Sequence, residues 1–116
     1  MTRSGSRAGG AVIRGDIWLA ALDPTIGREI QKTRPCLIVS PPEMNGRLPT
    51  VLAAPLTTGS RPAPTRIPVL FQRRAGLILV DQVRTLDKQR LVRRLGAVGA
   101  ETLRVTLAVL REMFEE

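Results

Sequence analysis

Arg34 and the pair Thr57-Thr58 are the residues of this sequence best placed to handle a phosphate. Arg34 stands immediately before Pro35, at the head of the strand-length apolar run Cys36-Leu37-Ile38-Val39 and just after the polar stretch Thr25–Thr33. Thr57-Thr58 close another strand-length segment, Thr50–Thr57, where hydroxyls and the amides of a turn can reach an anion. Breaking a phosphodiester requires a group that positions the phosphate, one that neutralises the developing oxyanion and one that moves protons. The chain has no histidine, which leaves Arg, Lys, Thr, Ser, Glu and Asp for these tasks. On RNA the nucleophile can be the substrate's own 2′-hydroxyl, so neither a metal-activated water nor a covalent side chain is required. Position alone favours plainer roles, a solvated edge arginine and ordinary strand-end threonines, and does not identify an enzyme.

The other candidates are weaker taken singly. Glu29 is a charge on the Thr25–Thr33 stretch, flanked there by Arg28 and Lys32. Gln82 and Arg84 fall on one side of an alternating strand and face either a groove or water. Cys36 opens an apolar run and reads as a small core residue rather than a nucleophile. Trp18, the only tryptophan, belongs to the core or to a dimer interface, and Asp16 to a turn that its carboxylate bonds. A metal site built from Asp16, Asp23, Asp81 and Asp87 would need four loops to converge, so neither a metal nor a cofactor is expected. A single cysteine rules out an internal disulfide.

Charge sets the class of partner. The 18 Lys+Arg outnumber the 10 Asp+Glu, for a formal net charge of +8, and nearly all the cations are Arg. Residues 1–100 hold 16 basic and 6 acidic residues, whereas 101–116 hold 2 and 4. A basic body with an acidic tail points to a polyanion met away from that tail. Arg brings a planar fork for phosphate and a face for stacking on bases, although genomic base composition and solubility also enrich it. No apolar run approaches the roughly 18 residues of a membrane span. Met1–Gly10 is rich in Arg, Ser and Gly without an apolar signal core, so it reads as a loose arm on a cytoplasmic protein.

These residues must be carried by short strands. Ala11–Leu22 is β-prone, with a bend at Arg14-Gly15-Asp16. Cys36–Val39 is a strand buried on both faces, Pro41-Pro42 ends it, and Asn45-Gly46 signals a tight turn. Thr50–Thr57 forms a third strand whose Pro55 places its far end at a sheet edge. Arg66–Phe71, Gly76–Val80, Gln82–Leu86 and Leu91–Val98 supply four more. Only the end is helical: from Glu101, Leu103, Leu107, Leu110 and Phe114 recur on one helical face, widened by Val105 and Val109, with Gly99 as N-cap. The pattern predicts a mainly β fold, a half-open barrel closed by a C-terminal α-helix, over residues 11–116 after the arm 1–10.

Taken in order, the segments resemble a known family. Gly15-Asp16-Ile17-Trp18, Asp23-Pro24-Thr25 with Gly27 and Glu29, Thr33-Arg34-Pro35-Cys36-Leu37-Ile38-Val39-Ser40, Ala54-Pro55-Leu56-Thr57-Thr58 and Val80-Asp81-Gln82-Val83-Arg84-Thr85 look like the successive blocks of the MazF/PemK toxins. That resemblance implies an SH3-like half-barrel of the CcdB/MazF type that forms a symmetric homodimer. It implies a sequence-specific, metal-independent endoribonuclease that cuts single-stranded RNA by 2′-hydroxyl attack. The ends left would be a 2′,3′-cyclic phosphate and a 5′-hydroxyl, and a cognate antitoxin would neutralise the activity. Carried over by position, the family's catalytic residues fall on Arg34, Thr57 and Glu29. Substrate contacts fall on Gln82 and Arg84, with Thr58, Arg28 and Lys32 beside the site. Two departures stand out: Glu29 is followed by Ile30-Gln31-Lys32-Thr33, as in the PemK-like subset, and the helix opens on Gly99-Ala100 rather than a Ser or Thr cap. The alternative is a CcdB-like toxin that poisons gyrase and cuts nothing, but this chain lacks the aromatic-containing tip of that group. A silent nucleic-acid-binding barrel should be rich in stacking rings, yet only 3% of residues are aromatic.

Overall fold

The computed structural model describes residues 11–22, 32–59 and 61–116; the arm 1–10 and the candidates Arg28 and Glu29 lie outside them. Seven strands form one curled antiparallel sheet: β1 (Asp16–Ala21), β2 (Thr33–Ile38), β3 (Thr50–Thr57), β4 (Arg66–Phe71), β5 (Arg74–Leu79), β6 (Arg84–Asp87) and β7 (Leu91–Ala97). A short helix α1 (Pro42–Arg47) separates β2 from β3, and α2 (Ala100–Met113) follows β7. The strand order is β4-β5-β3-β2-β1-β7, with β6 also pairing β3. Bulges in β1 against β7, between Ile17 and Trp18 and between Leu19 and Ala20, add twist and curl the sheet. The outer strands β4 and β7 approach through a side chain: a Cβ on Gly96 would stand 3.1 Å from Phe71 Cε1, so the ring rests on bare backbone. The result is the half-barrel with a C-terminal helix that the sequence led us to expect.

Alternation along each strand feeds two cores, one on each face of the sheet. Trp18, Ala20, Cys36, Ile38, Val51, Ala53, Leu86 and Leu91 pack on one face. Ile17, Leu37, Ala54 and Leu56 pack on the other with Ile67, Ile78 and Val80, covered by Val105, Leu107, Val109 and Leu110 of α2. Cys36–Val39 is thus buried on both faces, as its unbroken apolar run required.

Four sequence expectations are corrected. Pro55 is not at a sheet edge: it is fully buried in central β3, opposite Cys36 of β2. It falls where the other side of β3 passes from β6, which ends at Ala53↔Arg84, to β5, which begins at Leu56↔Ile78. Asn45-Gly46 makes no tight turn but lies in α1, begun by Pro42 at its first position. There Asn45 is buried, its Nδ2 donating to Ser40 O (2.9 Å) and its Oδ1 accepting from Ser40 Oγ (2.5 Å). Gln82 is not on an alternating strand with Arg84, because Val80–Gln82 forms a single 3-10 turn and β6 starts at Arg84. Finally, the inner face of α2 centres on Thr106, which is fully buried and donates its hydroxyl to Thr102 O at 2.8 Å; Phe114 is 77% exposed.

Asp16 ties the bend before β1 to the sheet. Gly15 adopts φ +97°, a left-handed conformation that suits glycine, and its N–H and C=O bond Ile38 O (2.8 Å) and Val98 N (3.0 Å). The buried Asp16 carboxylate accepts from Ile13 N (3.0 Å), Trp18 Nε1 (3.4 Å) and Arg94 Nε (3.1 Å). Asp16→Ala strands these donors, and we expect a loss of roughly 2–3 kcal/mol. Chemical denaturation followed by the fluorescence of Trp18 will show it as a lowered midpoint.

Candidate functional site

The pairing of β2 with β3 assembles the site. Its register sets Cys36 opposite Pro55 and Ile38 opposite Ala53; two residues beyond its last pair stand Arg34 and Thr57, on the alternation that Cys36 and Pro55 set. Arg34 and Thr57 both line one open cleft of about 480 Å³ with Thr58 and with Phe71, Gln72 and Arg74 of the β4–β5 hairpin. Among the described residues no carboxylate borders this cleft, whereas Arg34 and Arg74 both do. It therefore presents a positive field to an entering anion.

The local chemistry of Thr57 orients its hydroxyl. Thr57 Oγ1 accepts from Gly59 N at 3.2 Å, which folds the chain back after β3 and leaves the hydroxyl hydrogen free to donate. Gly76 permits the close approach of β5, since a Cβ there would lie 2.8 Å from Thr57 O. A side chain at Gly76 would push Thr57 out of its register.

Cys36 lies two residues after Arg34 on β2. Its Sγ contacts Arg34 O at 3.5 Å, and burial pushes its thiol up to about 12 against the opposing pull of Arg84 and Arg34. It is protonated at neutral pH and is no nucleophile, in keeping with the core role read from the sequence.

The remaining candidates divide. Thr58 joins Arg34 and Thr57 in the cleft. Lys32 is exposed at the entry to β2 and does not line it. Arg84 pairs with Ala53 and so projects on the Cys36 face, within electrostatic reach of the thiol. Its Nε donates to the carbonyl of Gln82 at 3.4 Å. Gln82 is exposed and does not border the cleft. Asp81, next to it, is a clamp: it accepts from Arg66 Nε and Nη2, each at 3.3 Å, and from Thr65 Oγ1 at 3.3 Å. The hydrogen bonds from Arg66 hold its carboxyl below the usual carboxylate range. This pins the end of the loop that follows Thr58 to the turn at Val80–Gln82.

The sequence did not point to Phe71, Gln72 or Arg74. Gln72 and Arg73 form a two-residue hairpin turn with φ of 51° and 65°, without the Asn-Gly or Asp-Gly that marks such turns. A second groove, about 630 Å³, runs between α2 and the sheet. Leu52, Val83, Leu107, Leu110 and Phe114 form its apolar part, and Arg14, Arg84 and Arg111 are the cations that border it.

Residues 13–114 match the family of PemK-like, MazF-like toxins of type II toxin–antitoxin systems. The chain belongs to that family. Endoribonuclease PemK of Escherichia coli is 44% identical over 81 residues, which cover 64% of this chain and 59% of that protein. Endoribonuclease EndoA of Bacillus subtilis is 34% identical over 98 residues, 79% of this chain and 84% of that one. Among solved structures, a mycobacterial endoribonuclease in complex with its cognate antitoxin superimposes with a TM-score of 0.72 at 28% identity, over 88% of this chain and 93% of that one. The PemK/MazF resemblance drawn from five short blocks thus extends over the described sheet and helix.

Proposed function

We propose that this PemK/MazF-family chain is an endoribonuclease that cuts single-stranded RNA at the Arg34–Thr57 cleft. The observation that carries the reading is the one cleft that Arg34 and Thr57 both line, with Arg34 and Arg74 as its cations and no carboxylate at its border among the described residues. PemK and EndoA, named as endoribonucleases, support it. Arg34 binds the scissile phosphate and neutralises the charge that builds on its non-bridging oxygens, and Thr57 donates its hydroxyl to the same group. The 2′-oxygen attacks phosphorus, the bond to the 5′-oxygen breaks, and the products are a 2′,3′-cyclic phosphate and a 5′-hydroxyl. The 2′-hydroxyl proton goes to a base and the departing 5′-oxygen takes up a proton. Glu29, on the segment between β1 and β2, is the carboxylate we assign to proton transfer. No metal is needed, because an arginine supplies the positive charge and the ribose supplies the nucleophile. A chain without histidine suits that route.

The same reading includes a homodimer, a cognate antitoxin and a cytoplasmic setting; no helix among the described residues is long and apolar enough to cross a membrane. The second groove fits the dimer. Along it the half-buried Leu107 and Leu110 of α2 and the exposed Phe114 just past its end are bordered by Arg14, Arg84 and Arg111, while Glu112, Glu115 and Glu116 lie beside Phe114 in sequence. Two copies related by a twofold axis would bring the acidic tail of each to the arginines of the other. The antitoxin would meet the basic body, as the antitoxin complex of the mycobacterial relative encourages.

Incubation with a long single-stranded RNA in EDTA, followed by mapping of the ends, tests the catalytic assignment. Discrete cuts with cyclic-phosphate ends are expected, slowed by about two to three orders of magnitude in Arg34→Ala and Thr57→Ala and retained in Cys36→Ser. RNA left intact by the folded wild-type protein overturns the reading. For the dimer, light scattering should give twice 12.7 kDa for the wild type and the monomer mass for Phe114→Asp.

A further inference from the structure

The β4–β5 hairpin tip carries a feature that folding alone does not explain. Gln72 and Arg73 both hold left-handed backbone, at φ 51° and 65°, where residues other than Gly, Asn and Asp are strained. A turn serving only to reverse the chain would be better built from Asn-Gly. The strained Gln72 and its neighbours Phe71 and Arg74 all line the cleft that holds Arg34 and Thr57. The hairpin register sets Arg74 directly opposite Phe71, Gly76 opposite Val69 and Ile78 opposite Ile67. Paired residues share a face, so the face of Leu56 runs from buried Ile67 and Ile78 through Val69 and Gly76 to the ring and guanidinium, while Arg34 and Thr57, on the alternate positions of their strands, border the same cleft. Phe71 is one of only two phenylalanines, and its ring edge is seated against the bare backbone of Gly96.

We propose that the tip of this hairpin is a base-recognition subsite for the nucleotide next to the scissile phosphate. The base stacks on the ring of Phe71, Arg74 holds the adjoining phosphate or the far face of the base, and the Gln72 amide reads the base edge. Rings and guanidinium planes serve unpaired bases in this way, and an amide offers the donor–acceptor pair that an exposed base edge requires. The strain at Gln72 is then the cost of holding a recognition side chain where glycine would be the easier turn residue. The assignment rests on the endoribonuclease reading for its substrate, and on the hairpin geometry for its residues.

Two variants separate recognition from folding. Gln72→Gly relieves the left-handed strain, so its thermal midpoint is expected to equal or exceed that of the wild type. Its cut sites, sequenced from a random single-stranded pool, should nevertheless lose base preference at one position flanking the cut by about tenfold. Phe71→Leu keeps an apolar filler over the core and removes the ring. It should weaken binding of a short single-stranded RNA, made uncleavable by 2′-deoxy substitution at the cut, by roughly tenfold in fluorescence anisotropy. Unchanged base preference in Gln72→Gly together with unchanged binding in Phe71→Leu overturns the subsite while leaving the cleavage reading intact. A wild-type protein that binds the oligonucleotide through Phe71 yet cuts no RNA overturns the cleavage reading and upholds the subsite.

Discussion

The antiparallel register between β2 and β3 is the constraint on which the rest depends. In a sheet the side-chain period is two, so a slip of one residue would send Arg34 and Thr57 to opposite faces. The register is held because both faces are buried: Cys36 and Ile38 pack against Trp18 and Val51 on one side, and Leu37 and Ala54 pack against Ile17 and Ile78 on the other. A slipped pairing would have to exchange two complete cores. The polar ends of these strands inherit that precision. Arg34 and Thr57 lie just beyond the last apolar pair, Cys36↔Pro55, where the core opens into the cleft.

Other features serve the same register from outside. Gly76 lets β5 come up to the carbonyl of Thr57, and the hydrogen bond from Gly59 N turns the chain back so that the threonine hydroxyl is free to donate. The thiol of Cys36, kept protonated by burial, adds no negative charge near the arginines. The Asp81–Arg66 pair anchors the far end of the loop that leaves Thr58. At the opposite end of the sheet, Asp16 joins the bend before β1 to β7 through Arg94. The site is thus positioned by backbone pairing rather than by side-chain contacts among its own members.

Much of this was legible in the sequence. Strand-length apolar runs gave the order of the elements, and an unbroken run at Cys36–Val39 required burial on both faces. The placing of Arg34 at a strand head and Thr57 at a strand end needed only the ends of those runs, but their meeting at one cleft did not follow from them. Pro55 was misleading because a missing N–H usually marks an edge, whereas here it falls where β3 changes partners. The Asn45-Gly46 signal was overridden by a buried hydrogen-bonded pair with Ser40, a tertiary effect invisible to local turn chemistry. Thr106 could enter the core because its hydroxyl bonds back along its own helix, which hydrophobic periodicity does not register. The hairpin tip went unseen because Gln72-Arg73 carries none of the residues that ordinarily announce its turn.

If Arg34 and Thr57 act on one phosphate, they act as a unit, and a double-mutant cycle on the cleavage rate tests this most directly. Rates for the wild type, Arg34→Ala, Thr57→Ala and the double variant are measured on one defined single-stranded RNA. The account predicts that the double variant falls little further than the worse single variant. Losses that multiply in full would contradict it, because they would mean that the two residues act on separate steps or separate groups.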